Sequence, residues 1–384
     1  MDGALSAQGE RRAKRLLVVA GEPSGDHHAA NLVRALAAKG EYDVRGVAGP
    51  RMRAAGVRAI VPQEDLAVIG FSGILAKLPV LLAARGKLLE ACRSFRPDAA
   101  VLVDYPGFNL RLGPQLRSRG VPVFYYVAPQ VWAWHPERAA QMAAWVNRLA
   151  VVFPFEEPLF REAGVPTSFV GHPLLDDLAP EVDADALRRE IGAPAGARIV
   201  GLLPGSRAGE VAHHARALVE AGRLLRERHA DVFPVVALAD GASLGRLPAR
   251  LRGAVAEVRG RTRAVQAHAA CCAVASGTAT LETALFGTPL VVVYRVGWLN
   301  WQIAKRLVTL THIGLPNIVA GDEVAPELLQ GALTPEAVAG TLGAWLADPA
   351  LLAARRTALA VVREKLGGPG ASGRAAAALA EMLA

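Results

Sequence analysis

A chain of 384 residues is long for a single hydrophobic core, so two domains are expected. The formal net charge of +8 admits nucleic acid, an anionic membrane surface or phosphorylated substrates as partners, but aromatics are only 5% and the arginines are dispersed, which argues against nucleic acid. Three cysteines, Cys92, Cys271 and Cys272, with no CxxC spacing, exclude a disulfide framework and a zinc site and fit a reducing compartment.

The leader MDGALSAQGERRAKR lacks the apolar stretch of a secretory signal. Beyond it, short apolar runs alternate with helical patterns. Strands are predicted near Leu16–Ala20, Val44–Ala48, Ala99–Val103, Val123–Val127, Leu149–Phe153 and Ser168–Val170. A Pro-, Gly- and acid-rich segment, Pro173–Arg198, interrupts the pattern. It then restarts with strands near Ile199–Leu203, Phe233–Ala237, Cys272–Ala275 and Leu290–Tyr294. This alternation implies parallel sheets with right-handed crossovers. The expected fold is α/β, two Rossmann-like doubly wound domains facing a cleft, with residues 1–180 and 181–366 as the two halves. The tail 367–384 breaks at GGPG and ends in a helix that can cross back onto the first domain. The nearly uncharged span Ala269–Tyr294 holds Glu282 and Pro289 and reads as buried core, not a membrane helix.

Five stretches carry candidate chemistry. In LLVVAGEPSGDHHAANLVRAL (Leu16–Leu36) a strand, a glycine turn and a helix start follow one another, the arrangement of a phosphate cradle. Glu22 and Asp26 place negative charge where an anion would sit. GLLPGSRAGEV (Gly201–Val211) repeats the arrangement with Gly205, Ser206 and Arg207, which suit an anion, though an ordinary turn with a surface arginine reads the same way. ASGTATLETALFGTPLVVVYR (Ala275–Arg295) brings Ser276, Gly277 and Thr278 to a helix start, as donors or as plain caps; Glu282, the only charge before the closing Arg295, needs a partner if buried. VLVDYPGFN (Val101–Asn109) sets Asp104 at the end of an apolar strand, where it can be a general base or a capping residue. YYVAPQVWAWHPERAAQMAAWV (Tyr125–Val146) is largely packing, with Gln130 and His135 as polar exceptions. His27–His28 and His213–His214 lack metal-ligand spacing, and the DAD at Asp183–Asp185 precedes a helix and reads as a cap, so no metal is expected. The apolar run Glu64–Leu89, with Lys77, Arg85 and Lys87, is either core or a patch able to dip into a bilayer.

Taken together and in order, the strings AGEPSGD, GVAGPRM, LAVIGF, VDYPGFN, YYVAPQVWAW, GHPLLD, LLPGSRAGEV, ASGTATLE, LPNIVAG and GGPGAS resemble the lipid-A-disaccharide synthase family across nearly the whole chain. The resemblance implies a metal-independent, inverting glycosyltransferase of GT-B architecture, with no cofactor beyond UDP as donor carrier and product. It would join UDP-2,3-diacylglucosamine to 2,3-diacylglucosamine 1-phosphate (lipid X) on the cytoplasmic face of a Gram-negative inner membrane. A homodimer exchanging C-terminal parts is consistent with the family. Under it, Asp104 becomes the base or its positioning group and Arg207 stabilises the departing diphosphate. Gly205, Ser206, Ser276, Gly277, Thr278, Glu282 and Asn317 fall on the donor side. Gly21, Glu22, Ser24, Gly25, Asp26, Asn109 and Gln130 fall on the acceptor side, and Val68, Ile69, Phe71, Ile74, Leu75 and Leu78 become acyl or membrane contacts.

The competing readings are another UDP-sugar enzyme, such as a 2-epimerase, and a non-catalytic membrane-associated nucleotide-binding module. A dinucleotide-dependent oxidoreductase is disfavoured, since no GxGxxG follows any predicted strand.

Overall fold

The apolar runs pair as parallel strands in two separate sheets, each with helices in its crossovers. The computed structural model describes residues 12–66, 74–134, 137–239, 241–245, 247–251, 253–297, 301–302 and 311–384. By its contacts the chain forms two compact units, one of residues up to Pro173 together with Pro369–Ala384, the other Leu174–Gly368.

The first unit holds β1 (Lys14–Ala20), β2 (Tyr42–Ala48), β3 (Arg58–Pro62), β4 (Ala99–Val103), β5 (Val123–Tyr126), β6 (Arg148–Val151) and β7 (Thr167–Phe169), in the order β3-β2-β1-β4-β5-β6-β7. Leu16, Leu17, Val18 and Val19 are wholly buried, as expected of a central strand covered on both faces. The order reverses direction between β1 and β4, which pair in register from Leu16↔Ala99 to Ala20↔Val103. Ligands of doubly wound sheets bind at the carboxyl ends of strands at such a switch point. The switch point therefore lies where AGEPSGD leaves β1 and VDYPGFN leaves β4.

The second unit repeats the plan with β8 (Arg198–Leu203), β9 (Val232–Leu238), β10 (Ala256–Arg259), β11 (Cys271–Ala275), β12 (Leu290–Tyr294) and β13 (Glu327–Leu329), in the order β10-β9-β8-β11-β12-β13. Its reversal falls between β8 and β11, so PGSR and SGTATLE leave the strands at the corresponding place. The unit begins at Leu174, ahead of residue 181, because this segment is tied to its helix Thr262–His268. The Asp177 carbonyl accepts from Arg263 Nη1 at 3.3 Å, and the Glu181 carboxylate caps the helix through the amides of Arg263 and Ala264 at 3.1 and 2.6 Å. Asp183 accepts from the Ala186 amide at 2.7 Å, so the DAD is a helix cap.

The final helix, Ala371–Leu383, packs its alanines into the first unit. Arg374 Nε donates to the Val170 carbonyl at 2.7 Å, and Lys14 Nζ to that of Leu383 at 2.9 Å. Among the described residues no single helix is long and apolar enough to cross a membrane.

Three strands absent from the sequence prediction, β3, β10 and β13, all lie at sheet edges. Their residues are largely half-exposed (Arg58–Pro62, Ala256–Arg259, Glu327–Leu329), so they lack the continuous apolar run that marks a central strand.

Helix Pro106–Arg117 is seated by a bare backbone position. A Cβ on Gly113 would stand 2.1 Å from Cζ3 of the buried Trp145, whereas one on Gly107 would meet nothing within 4 Å. Gly113→Ala is expected to lower stability by about 1–3 kcal/mol in urea unfolding through overpacking. Gly107→Ala, in the same helix, should stay within about 0.5 kcal/mol of the parent. Equal effects would show that the Trp145 contact does not govern the site.

Candidate active site

At the switch point of the first unit the two loops touch. A Cβ on Gly21 would lie 2.2 Å from Cδ1 of Tyr105, so the β1 loop passes the Tyr105 ring only because residue 21 has no side chain. Asp104 and Tyr105 both take positive φ, 46° and 50°, which costs on the order of 1–3 kcal/mol each and must be enforced by neighbours. The enforcing bonds converge on one atom: the Asp104 carbonyl accepts from Asn109 Nδ2 and from the Tyr125 hydroxyl, each at 2.8 Å. The Tyr105 hydroxyl donates to the Leu66 carbonyl at 3.4 Å, and Gln63 Nε2 to that of Gly21 at 3.3 Å. Burial first, and the charge of Glu22 second, push the Asp104 carboxyl up to about 6, against a backbone hydrogen bond that lowers it. Ser24 and Gln130 are exposed, and Gly25 packs at ordinary distance on Ala20 and the Val103 carbonyl.

Two acceptor-side residues have their hydrogen bonds within the unit. Asp26 is 2% exposed, and its carboxylate accepts from the amides of Gly49, Arg51 and Met52 at 2.9, 2.9 and 3.1 Å. It secures the N-terminus of helix Pro50–Ala54 and has no face for a sugar hydroxyl; this is why GVAGPRM accompanies AGEPSGD. Asn109 is wholly buried and acts on the Asp104 backbone, so it positions that residue and does not reach outward.

Behind this site lies a carboxylate that the sequence reading did not single out. Glu156 is wholly buried and accepts from Trp132 Nε1 at 2.9 Å and from the Phe153 amide at 3.2 Å. Burial pushes its carboxyl up to about 7 despite those donors, and the charge of Asp104 adds to the rise. Val127, a β-branched residue with φ of 63°, marks the same region, where the chain leaves β5. Neither was legible from local pattern: FPFEE resembles any helix start, and backbone strain has no residue signature outside glycine.

In the second unit the turn after β8 uses Gly205 at φ 115° to reach helix Ala208–Arg228. The amides of Ser206 and Arg207 both donate to Glu210 Oε2, at 3.0 and 3.2 Å, while Glu210 Oε1 takes Arg207 Nη1 at 3.0 Å. The anion cradle thus holds the protein's own carboxylate. Arg207 itself is exposed. The turn is fixed from below by His214, whose Nδ1 donates to the Pro204 carbonyl at 2.8 Å and whose Nε2 accepts from the Arg295 amide at 2.9 Å. Burial lowers its pKa and keeps the ring neutral, consistent with that tautomer. Glu210 lies three residues after Arg207 and reaches back to its amide, while His214 gives no signal in the local sequence.

After β11, helix Thr278–Leu285 starts at Gly277 with φ of 144° and no side-chain cap. Ser276 Oγ instead donates to the Ile313 carbonyl at 3.0 Å, and Thr278 is exposed. Glu282 has the partner its burial requires: Arg263 Nε and Nη2 meet its Oε1 at 3.0 and 2.9 Å. Burial still raises its carboxyl above the usual range. Asn317 is wholly buried, donates to Ala325 and Glu327 at 2.7 and 2.8 Å, and accepts the amides of Val324 and Ala325 at 2.9 and 2.8 Å. Its hydrogen-bonding capacity is used within the unit, tying helix Leu315–Ala320 to β13.

Val68, Ile69, Phe71 and His135 lie outside the described residues, as do the side chains of Ile74 and Leu75. Leu78 is 45% exposed on helix Ile74–Phe95, and Val80 and Leu82 are exposed beside it. Among the described residues no group of three or more His, Cys, Asp or Glu side chains is placed to hold a metal ion.

The sequence model of the lipid-A-disaccharide synthetase family matches residues 16–365. The lipid-A-disaccharide synthase of Geobacter sulfurreducens is 42% identical over 378 residues, covering 97% of this chain and 98% of that protein. That of Trichlorobacter lovleyi is 44% identical over 376 residues, covering 97% and 98%. Among solved structures, the glycosyltransferase of kitacinnamycin superposes with a TM-score of 0.63 at 18% identity, covering 97% of this chain and 100% of that one. The UDP-GlcNAc 2-epimerase of Neisseria meningitidis superposes with a TM-score of 0.62 at 11% identity, covering 96% and 99%. These structures speak to the fold alone.

Proposed function

This chain belongs to the lipid-A-disaccharide synthase family, and from that premise we propose how its residues share the reaction. The enzyme is a glycosyltransferase that joins UDP-2,3-diacylglucosamine to 2,3-diacylglucosamine 1-phosphate, giving the β-1,6-linked disaccharide 1-phosphate and UDP. We assign acceptor binding to the first unit and donor binding to the second.

The observation that carries the assignment is Asp104: a strained, partly buried carboxylate at a topological switch point, with its pKa raised to about 6. A general base works best with a pKa near the working pH. In the proposed step the acceptor 6-hydroxyl gives its proton to the Asp104 carboxylate as its oxygen bonds to the donor anomeric carbon. The bond from that carbon to UDP breaks on the opposite face, and UDP leaves with the electron pair, inverting the centre. Glu22 keeps Asp104 basic. Arg207 and the amides after Gly205 and Gly277 stabilise the diphosphate, a task that then needs no metal, and Glu282 with Arg263 lies on the same donor unit.

Both substrates are acylated, and helix Ile74–Phe95 exposes Leu78, Val80 and Leu82. This supports acyl or membrane contact by that helix, with the net positive charge favouring an anionic cytoplasmic leaflet. A homodimer with exchanged C-terminal parts belongs to the same reading.

Incubation with both lipid sugars should yield tetraacyl disaccharide 1-phosphate and UDP in equal amounts by mass analysis. An epimerised UDP-sugar, or no turnover, would contradict the reading. Asp104→Asn should lower kcat by about 100-fold or more while leaving UDP affinity unchanged. Full activity would remove Asp104 from the base role.

Glu210 occupies the amides proposed for the diphosphate, so donor binding must displace it. Glu210→Gln should therefore tighten UDP binding by roughly 2- to 10-fold in calorimetric titration. Weaker binding would make Glu210 a donor ligand, not a competitor.

A further inference from the structure

A cavity of about 170 Å³ opens on the first unit beside the first turn of helix Pro106–Arg117. Its floor is apolar, formed by Leu110 with the buried Met142 and Trp145. Arg111 and Arg138, both exposed, line its rim. Arg111 is held toward the helix start by a bond from Nη1 to the Gly107 carbonyl at 3.1 Å. Some surface arginines elsewhere meet carboxylates, as in Arg161–Glu157, Arg198–Asp231 and Arg216–Glu220. Among the described residues neither Arg111 nor Arg138 forms an ion pair, so both guanidinium charges face the cavity unneutralised. Gly107 leaves the approach to the helix N-terminus open, since a Cβ there would touch nothing.

Two unneutralised guanidinium groups over an apolar floor fit an anion joined to a hydrocarbon arm. Pro106 lines the cavity and stands two residues after Asp104, so their Cα atoms are at most about 7.6 Å apart. We infer that this cavity is the subsite for the phosphomonoester of the acceptor, with Arg111 and Arg138 gripping the phosphate and Leu110, Met142 and Trp145 receiving the root of an acyl chain. The inference rests on the transfer reaction proposed above. Seating the phosphate here leaves the far side of the sugar, with its 6-hydroxyl, for the base. It also makes the enzyme select a phosphorylated acceptor.

The test is the double variant Arg111→Ala/Arg138→Ala with Arg111→Lys/Arg138→Lys as the charge-retaining control, assayed in detergent micelles. The alanine pair should raise the acceptor KM by about tenfold or more and weaken direct acceptor binding in titration equally. The donor KM, UDP affinity and kcat at saturating acceptor should hold. The preference for phosphorylated over phosphate-free 2,3-diacylglucosamine should collapse in the alanine pair and return in part with lysine. An unchanged acceptor KM and phosphate preference would overturn the subsite. Loss of co-sedimentation with phosphatidylglycerol vesicles at unchanged acceptor affinity would also overturn it, assigning the arginines to bulk headgroups. Wild-type turnover in the same assay keeps these outcomes separate from failure of the transfer reaction itself.

Discussion

The first unit depends on how the chain leaves β4. Two successive residues, Asp104 and Tyr105, are forced into left-handed backbone conformations, and two buried donors, Asn109 and Tyr125, hold the Asp104 carbonyl there. That turn presses Tyr105 against Gly21 and brings the β1 loop, with Glu22, up to the Asp104 carboxyl. A partly buried carboxylate near another negative charge is poorly suited to stability and well suited to accepting a proton. Asp104 and Glu156 both hold protons more tightly in the folded chain than in the unfolded one. Their contribution to stability is therefore greatest at acid pH and falls as pH rises from the ordinary carboxylate range through about 6 and about 7. The fold tolerates this because the strands around them are fully buried and the opposing backbone groups are paired.

The second unit solves a different problem with the same topology. Its two loops offer helix N-termini to an anion, and in the chain alone one of them is filled by Glu210. The internal carboxylate keeps the amides satisfied and holds Arg207 nearby, and under the proposed reading a diphosphate replaces it. His214 makes the turn rigid by bonding both the Pro204 carbonyl and the Arg295 amide, which links the end of β8 to the residue following β12. Donor selectivity would then come from exchange of one anion for another at a preformed turn.

Much of this was legible in the sequence. Continuous apolar runs located the central strands, because only strands covered on both faces need them; the edge strands β3, β10 and β13, half-exposed, gave no such signal. The four loops at the two switch points were visible as glycine turns between an apolar run and a helix. What local pattern could not show was which polar residues in those loops face inward. Asp26 and Asn317 look like ligand-binding residues beside their motifs. Their side chains instead pair with Gly49–Met52 and with Val324–Glu327, partners distant enough along the chain that only the fold reveals them. Glu156 and Arg263 acquire their significance in the same way, from what the topology sets against them.

The central claim is that burial in the turn after β4, with the charge of the neighbouring Glu22 second, sets the proton affinity of Asp104. Carbon-13 NMR titration of aspartate-labelled protein, with Asp104→Asn identifying the signal, measures this directly. The account predicts a carboxyl titrating near 6, moving toward the ordinary aspartate range in Glu22→Gln. A carboxyl that titrates near 4 in the parent and is indifferent to Glu22 would contradict it.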